Sequence, residues 1–197
     1  MNTIKTLALV VLGVFAMSFT NKLIDGNHQI DATDSKVEWV GKKVTGQHNG
    51  TVAIKSGDLI IKDGKLTGGS FVIDMTSITS TDLEGEYLQK LNGHLKSDDF
   101  FGVENYPAAK FNITKVETKG NNGRFQVTGD MTIKSTTKPV SFDAQLVNNG
   151  KAIVAVADIV IDRSEFDVRY GSGSFFDDLG DKTIYDDFTL SVNLVTK

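Results

Sequence analysis

The chain has 197 residues, 21 Lys and Arg against 25 Asp and Glu, and a formal net charge of −4. It contains no cysteine, which excludes disulfides, thiolate zinc sites and cysteine nucleophiles. Three His and a mildly acidic balance argue against a His-rich metal enzyme and against general nucleic-acid binding, while 12 Phe against 4 Tyr and 1 Trp predict an interior whose aromatic rings carry few polar handles.

Residues 1–20 read as a signal peptide. Lys5 is the only charge before an apolar run from Leu7 to Phe19, and Ala16-Met17-Ser18 offers small residues for cleavage. The run is shorter than the roughly 20 residues a spanning helix needs. The expectation is export to the periplasm or outside the cell, and a mature form without a membrane span. Residues 25–197 then read as one domain, large enough to bury its own core. His28 lies in a polar stretch and reads as solvated.

From there the pattern is mainly strand. Val37 and Trp39 open a segment that leads to His48, flanked by Gly46 and Gly50, which places an imidazole at a strand end or barrel mouth. Asp63-Gly64, Asn122-Gly123 and Asn149-Gly150 are hairpin-turn dipeptides that accept positive φ. Between the first two, Phe71, Ile73 and Met75 fall at alternate positions of one strand. Thr81 to Leu95 breaks the alternation: Leu83, Tyr87, Leu88, Leu91 and Leu95 follow helical spacing, and Thr81 with Glu84 forms a capping-box signature. His94 falls at the end of that helix, where a positive charge suits the dipole. Phe100 and Phe101 follow it. Phe111 and Ile113 belong to the next strand. Phe125, Val127, Met131 and Ile133 share one face of another, and Val140, Phe142, Ala144 and Leu146 share one face of the strand after that. The run 152–162 is apolar on both faces over most of its length, so both are expected to be covered. Phe188, Leu190, Val192 and Leu194 alternate at the C-terminal end.

These segments predict an all-β, antiparallel meander of about eight strands with one short helix near residues 81–96. Periodicity alone leaves a closed barrel and a filled sandwich equally open.

The catalytic motifs are missing. There is no G-x-S-x-G, no phosphate-binding glycine loop and no calcium-loop spacing among Asp177, Asp178, Asp181, Asp186 and Asp187, which read as a solvated face. Asp98-Asp99 reads as a turn or cap. Arg163, flanked by Asp162 and Glu165, reads as a partly buried arginine with carboxylate partners, or as a contact for a ligand head group. No catalytic residue, metal site or cofactor is expected.

Five segments together resemble the YceI-like family of exported lipid-binding proteins: SKVEWVGKKVTGQHNGTV, GKLTGGSFVIDMTSI, HLKSDDFFGVENYPAAKF, VTGDMTIKSTTKPVSF and the IDRSEF run. They stand in the family's order across about residues 28–195. Asp167 departs from the pattern, since the family commonly has Gly after the Phe, and this bears on the local loop conformation. The resemblance implies a lipocalin-like antiparallel barrel with the helix near its opening. It also implies an apolar channel for a polyisoprenoid, an isoprenoid quinone or its precursor, or another long-chain amphiphile. On that implication the channel-lining candidates are Phe71, Ile73, Met75, Phe111, Ile113, Phe125, Val127, Met131 and Phe142. Leu88, Leu91, Leu95, Phe100 and Phe101 would close the mouth, and His48 and Arg163 are head-group candidates. Two other readings stay open: an enzyme acting on an amphiphile in the same pocket, and a filled barrel that serves as an envelope interaction module. A homodimer through an apolar mouth is compatible with each.

Overall fold

The computed structural model describes residues 22–120 and 122–197. The expected signal peptide, residues 1–20, lies outside the described residues. Among the described residues there are nine antiparallel strands, β1 Gly26–Gln29, β2 Lys36–Lys43, β3 Gly46–Lys62, β4 Lys65–Ser80, β5 Ala108–Thr118, β6 Arg124–Ile133, β7 Thr136–Asn148, β8 Ile153–Asp162 and β9 Ile184–Val195, and one α-helix, α1 Gly85–Lys96, between β4 and β5.

The strand order is β1-β3-β2-β9-β8-β7-β6-β5-β4, and β4 returns to pair with β3. Strands β2 to β9 therefore close an eight-stranded barrel, and β1 adds to the far half of β3. Closure depends on the length of β3. Its first residues pair with β2 at Trp39↔Gly50, and its later residues pair with β4 at Gly57↔Phe71. A shorter strand would leave an edge, and the sheet would stay open.

The sequence periodicity becomes burial. Along β6, Phe125, Val127, Met131 and Ile133 are buried while Arg124 and Asp130 face solvent. The turns follow their residues as well. Asp63 and Gly64 both take positive φ, 54° and 69°, and Asp25 accepts from their two backbone amides at 2.9 and 2.7 Å. Those bonds favour the Asp25 carboxylate and hold its pKa below the ordinary value.

Three expectations are corrected. The helix begins at Gly85, with Glu84 as its N-cap and no side-chain cap bond. Thr81 is drawn away from capping, because its hydroxyl accepts from the Asn49 side-chain amide at 3.0 Å. The strand β8 is covered on one face only: Val160 is 60% exposed and Val156 41%. The outer side of a closed barrel has no second layer here, so those valines meet water. Asp186 is not part of the solvated acidic face; it turns toward Arg163.

The family's departure at Asp167 is accommodated. This residue follows the 3-10 turn Arg163–Phe166 and takes the left-handed conformation, φ 60° and ψ 31°, that glycine adopts freely and Asp tolerates. Asp162 caps the same turn, accepting from Ser164 N and Oγ at 2.8 and 2.6 Å.

Candidate functional site

The inward faces of the strands enclose two apolar cavities along the barrel axis. One, of about 90 Å³, lies toward the Asp63-Gly64 turn and is bordered by Leu59, Leu66, Phe71, Phe111, Ile113, Val127, Phe142 and Leu146 among others. The second, of about 120 Å³, lies toward α1 and is bordered by Trp39, Met75, Leu95, Phe100, Phe101, Ile161 and Arg163 among others. Val37, Ile73, Met131 and Leu190 border both, so the two are consecutive segments of one lumen. Aromatic rings stand across it: Phe71 and Phe111 have centroids 6.5 Å apart, and Phe111 and Phe142 5.4 Å apart.

The structure gathers most of the sequence candidates on this lumen. Phe71, Ile73, Met75, Phe111, Ile113, Val127, Met131 and Phe142 border it from strands, and Leu95, Phe100 and Phe101 border it from α1 and the segment that follows. Three candidates are placed elsewhere. Phe125 is 2% exposed and packs beyond the cavity wall. Leu91 packs against the core without bordering the lumen, and Leu88 is only half-buried. Helical spacing finds the apolar side of a helix, but only the last turn of α1 reaches over the opening. Residues the candidate set missed include Val37, Trp39, Leu190 and Val192. Their period-two alternation was the available signal.

Of the two head-group candidates, Arg163 borders the lumen and His48 does not. Arg163 is 2% exposed. Its Nε donates to Tyr185 O at 3.2 Å, Nη1 to Val168 O at 2.7 Å and Nη2 to Ile184 O at 3.0 Å, while Asp186 Oδ1 lies 3.3 Å from Nη2. Burial pushes the guanidinium pKa down, and Asp186 and Asp162 oppose it. The group stays a cation, with its charge held by one carboxylate and three backbone carbonyls. It also lies over the Phe100 ring at 5.5 Å. His48 sits at the start of β3, and its Nδ1 is 2.8 Å from Asp82 Oδ2. Asp82 also accepts from Ser80 Oγ at 2.6 Å and Asn49 N at 3.2 Å. Burial raises the Asp82 pKa, but these bonds outweigh it and hold the carboxyl below its ordinary value. The His48–Asp82 pair ties β3 to the segment entering α1.

His94 also departs from its sequence reading. Its ring meets Tyr170 and Phe100 edge-on, at 4.2 and 5.5 Å, and Nε2 is buried without a partner. Burial pushes its pKa down against the pull of Asp99, which disfavours the cation that a helix end would suit.

The YceI-like domain pattern matches residues 28–196, the whole of this barrel. The chain belongs to the YceI-like family. A UPF0312 protein of Vibrio campbellii is 31% identical over 147 residues, which is 73% of this chain and 72% of that protein. A UPF0312 protein of Photorhabdus laumondii is 47% identical over 58 residues, so the match spans only 29% of either chain. Among solved structures, BcnA of Burkholderia cenocepacia has a TM-score of 0.70 at 25% identity, covering 85% of this chain and 99% of that one. A polyisoprenoid binding domain of Saccharophagus degradans has a TM-score of 0.64 at 15% identity, covering 86% of this chain and 97% of that one. Its likeness to this YceI-like chain is one of fold. Among the described residues, no helix is long and apolar enough to cross a membrane.

Proposed function

We propose that this protein is an exported binding protein that holds a polyisoprenoid, an isoprenoid quinone or its precursor, or a similar long-chain amphiphile in the barrel lumen, for transport or storage. The observation that carries the reading is the pair of apolar cavities that adjoin along the barrel axis, with one buried cation, Arg163, at the helix end. A mostly hydrocarbon ligand suits such a wall, because each buried methylene contributes about 0.8 kcal/mol. A tail of about twenty carbons therefore has a large gross driving force against the ordering cost of association. The tail lies among Phe71, Phe111 and Phe142, whose rings swing apart to widen the lumen. The polar end lies at Arg163, where an oxygen acceptor meets the guanidinium. The Saccharophagus domain of the same fold is a polyisoprenoid binding domain, which supports the ligand class. The role is binding rather than catalysis: Arg163, whose three nitrogens each donate to a backbone carbonyl, anchors the polar end and supplies no nucleophile or base. Export follows from the reading of residues 1–20 as a signal peptide.

Organic extraction of the protein purified from its native host, followed by mass spectrometry, tests this. The expected result is a long-chain isoprenoid recovered unchanged. A barrel that yields no lipid and takes up no added polyprenol overturns the reading.

A further inference from the structure

We propose that the seam between β7 and β8 is the passage by which a polyisoprenoid tail reaches the lumen; this rests on the lumen-binding reading above. Both barrel ends are blocked by packed side chains. Leu95, Phe100, Phe101 and Arg163 cover the helix end, and Phe125, Leu146 and Ile153 are buried toward the other. A chain-like ligand therefore needs a third route.

The β7–β8 ladder is one of the two shortest in the barrel, with five pairs, as many as β4–β5 from Ser70↔Asn112 to Asp74↔Ala108. It runs only from Ala144↔Ala157 to Asn148↔Ile153, whereas β6–β7 pairs throughout Arg124↔Gln145 to Ile133↔Thr136 and β8–β9 throughout Val154↔Val195 to Asp162↔Asp187. Residues Thr136–Asp143 of β7 thus have a partner on the β6 side and none on the β8 side. Pro139, which has no amide proton to donate, lies in this half, as it does in edge strands. The seam is bridged at its upper end by Lys134 Nζ donating to Asp167 O at 3.2 Å, where the 3-10 turn packs near β7.

The wall is also thin where the ladder begins. Ala144, Val156, Ala157 and Val192 border the inner cavity, and the same four residues border an outer trough of about 540 Å³. The two spaces are separated by small side chains and by the end of a short ladder. Short ladders open locally before long ones do, so separating β7 from β8 joins the trough to the lumen and leaves the rest of the barrel paired.

The test uses the absence of native cysteine. Gln145 and Val156 are direct partners in the ladder, on its outer side. Opposed antiparallel residues lie within disulfide reach, so Q145C/V156C staples the seam and leaves the lumen rings Phe71, Phe111 and Phe142 unchanged. The measurement is the rate of uptake of dansylated geranylgeraniol by the full barrel. Oxidised Q145C/V156C is expected to take it up at least about tenfold more slowly, at near-equal affinity, with reductant restoring the rate. A control staple between the β5–β6 partners Asn112 and Asp130, N112C/D130C, is expected to leave the rate unchanged. Hydrogen exchange on the unmodified protein supplies a second measurement, with β7–β8 amides exchanging faster than β6–β7 amides. An unchanged uptake rate in the oxidised seam variant, or equal exchange in the two ladders, overturns the passage while leaving lumen binding intact. Absence of uptake by the unmodified protein overturns lumen binding itself, and the passage with it.

Discussion

Trp39 and Gly50 are direct partners across β2 and β3, and the indole fills the space that a side chain at Gly50 would need. A Cβ built there would meet the Thr79 backbone carbonyl oxygen first, and would lie 2.5 Å from Trp39 Cζ2 and 2.7 Å from Cε2. The ring is held in place by Nε1 donating to Thr51 O at 3.3 Å. The same relation recurs at Gly129, whose Cβ would lie 2.7 Å from Phe111 Cε2, and at Gly57, 2.6 Å from Phe71 Cδ1. Glycines in these strands give large rings on neighbouring strands their room. Gly50→Ala is expected to lower stability by about 3 kcal/mol or more, because the Thr79 backbone as well as the indole must shift, read as a fall in the urea midpoint.

Phe142 and Phe125 lie on neighbouring strands with different surroundings, one half-buried on the lumen and the other fully buried beyond it. Phe142→Trp is expected to weaken binding of a dansylated prenol severalfold, with a stability cost below about 1 kcal/mol, because the lumen absorbs the added volume. Phe125→Trp is expected to cost about 1–3 kcal/mol with smaller effect on binding. Paired titrations and denaturation curves separate the two. Equal binding by Phe142→Trp and the unmodified protein would remove Phe142 from the ligand wall.

Arg163 joins β9 to the loop after the 3-10 turn through three carbonyls and Asp186. Arg163→Met leaves the half-buried Asp186 carboxylate and three backbone carbonyls without their donor, and is expected to cost about 3 kcal/mol. Arg163→Lys keeps the charge but loses the fork of donors, and is expected to fall between the two. Chemical denaturation at neutral pH measures both.

The His94 imidazole has a lowered pKa in the folded protein. Near and just below its ordinary value of 6.5, the unfolded chain binds more protons than the folded one, so stability falls as pH drops through this range. Thermal melts from pH 7.5 to 5.5 are expected to show that decline, and His94→Phe is expected to flatten it. A decline of the same slope in His94→Phe would assign it to other groups.

Alternation along β6, β7 and β9 and the turn dipeptides at Asp63-Gly64 and Asn149-Gly150 were readable residue by residue, because each depends on neighbours one or two positions away. The helix was readable in kind but not in its start. Thr81 and Asp82 are engaged by Asn49 and His48, more than thirty residues away in sequence, and no local pattern reports a partner at that distance. The lining set shows the same limit: strand parity sorted inward from outward side chains, but it did not show that Phe125 lies beyond the cavity or that Leu190 lies on it.

Local sequence thus determined the strands, their faces, the family and the greasy interior, since pleat and turn chemistry act over a few residues. Whether those strands close, how the inner rings divide between lumen wall and filling, and that Arg163 meets Asp186 were decided by tertiary structure. Barrel closure is a property of ladder lengths and registers between strands far apart in the chain. The pairing of β3 with both β2 and β4, and the early end of the β7–β8 ladder, exist only once those distant segments meet.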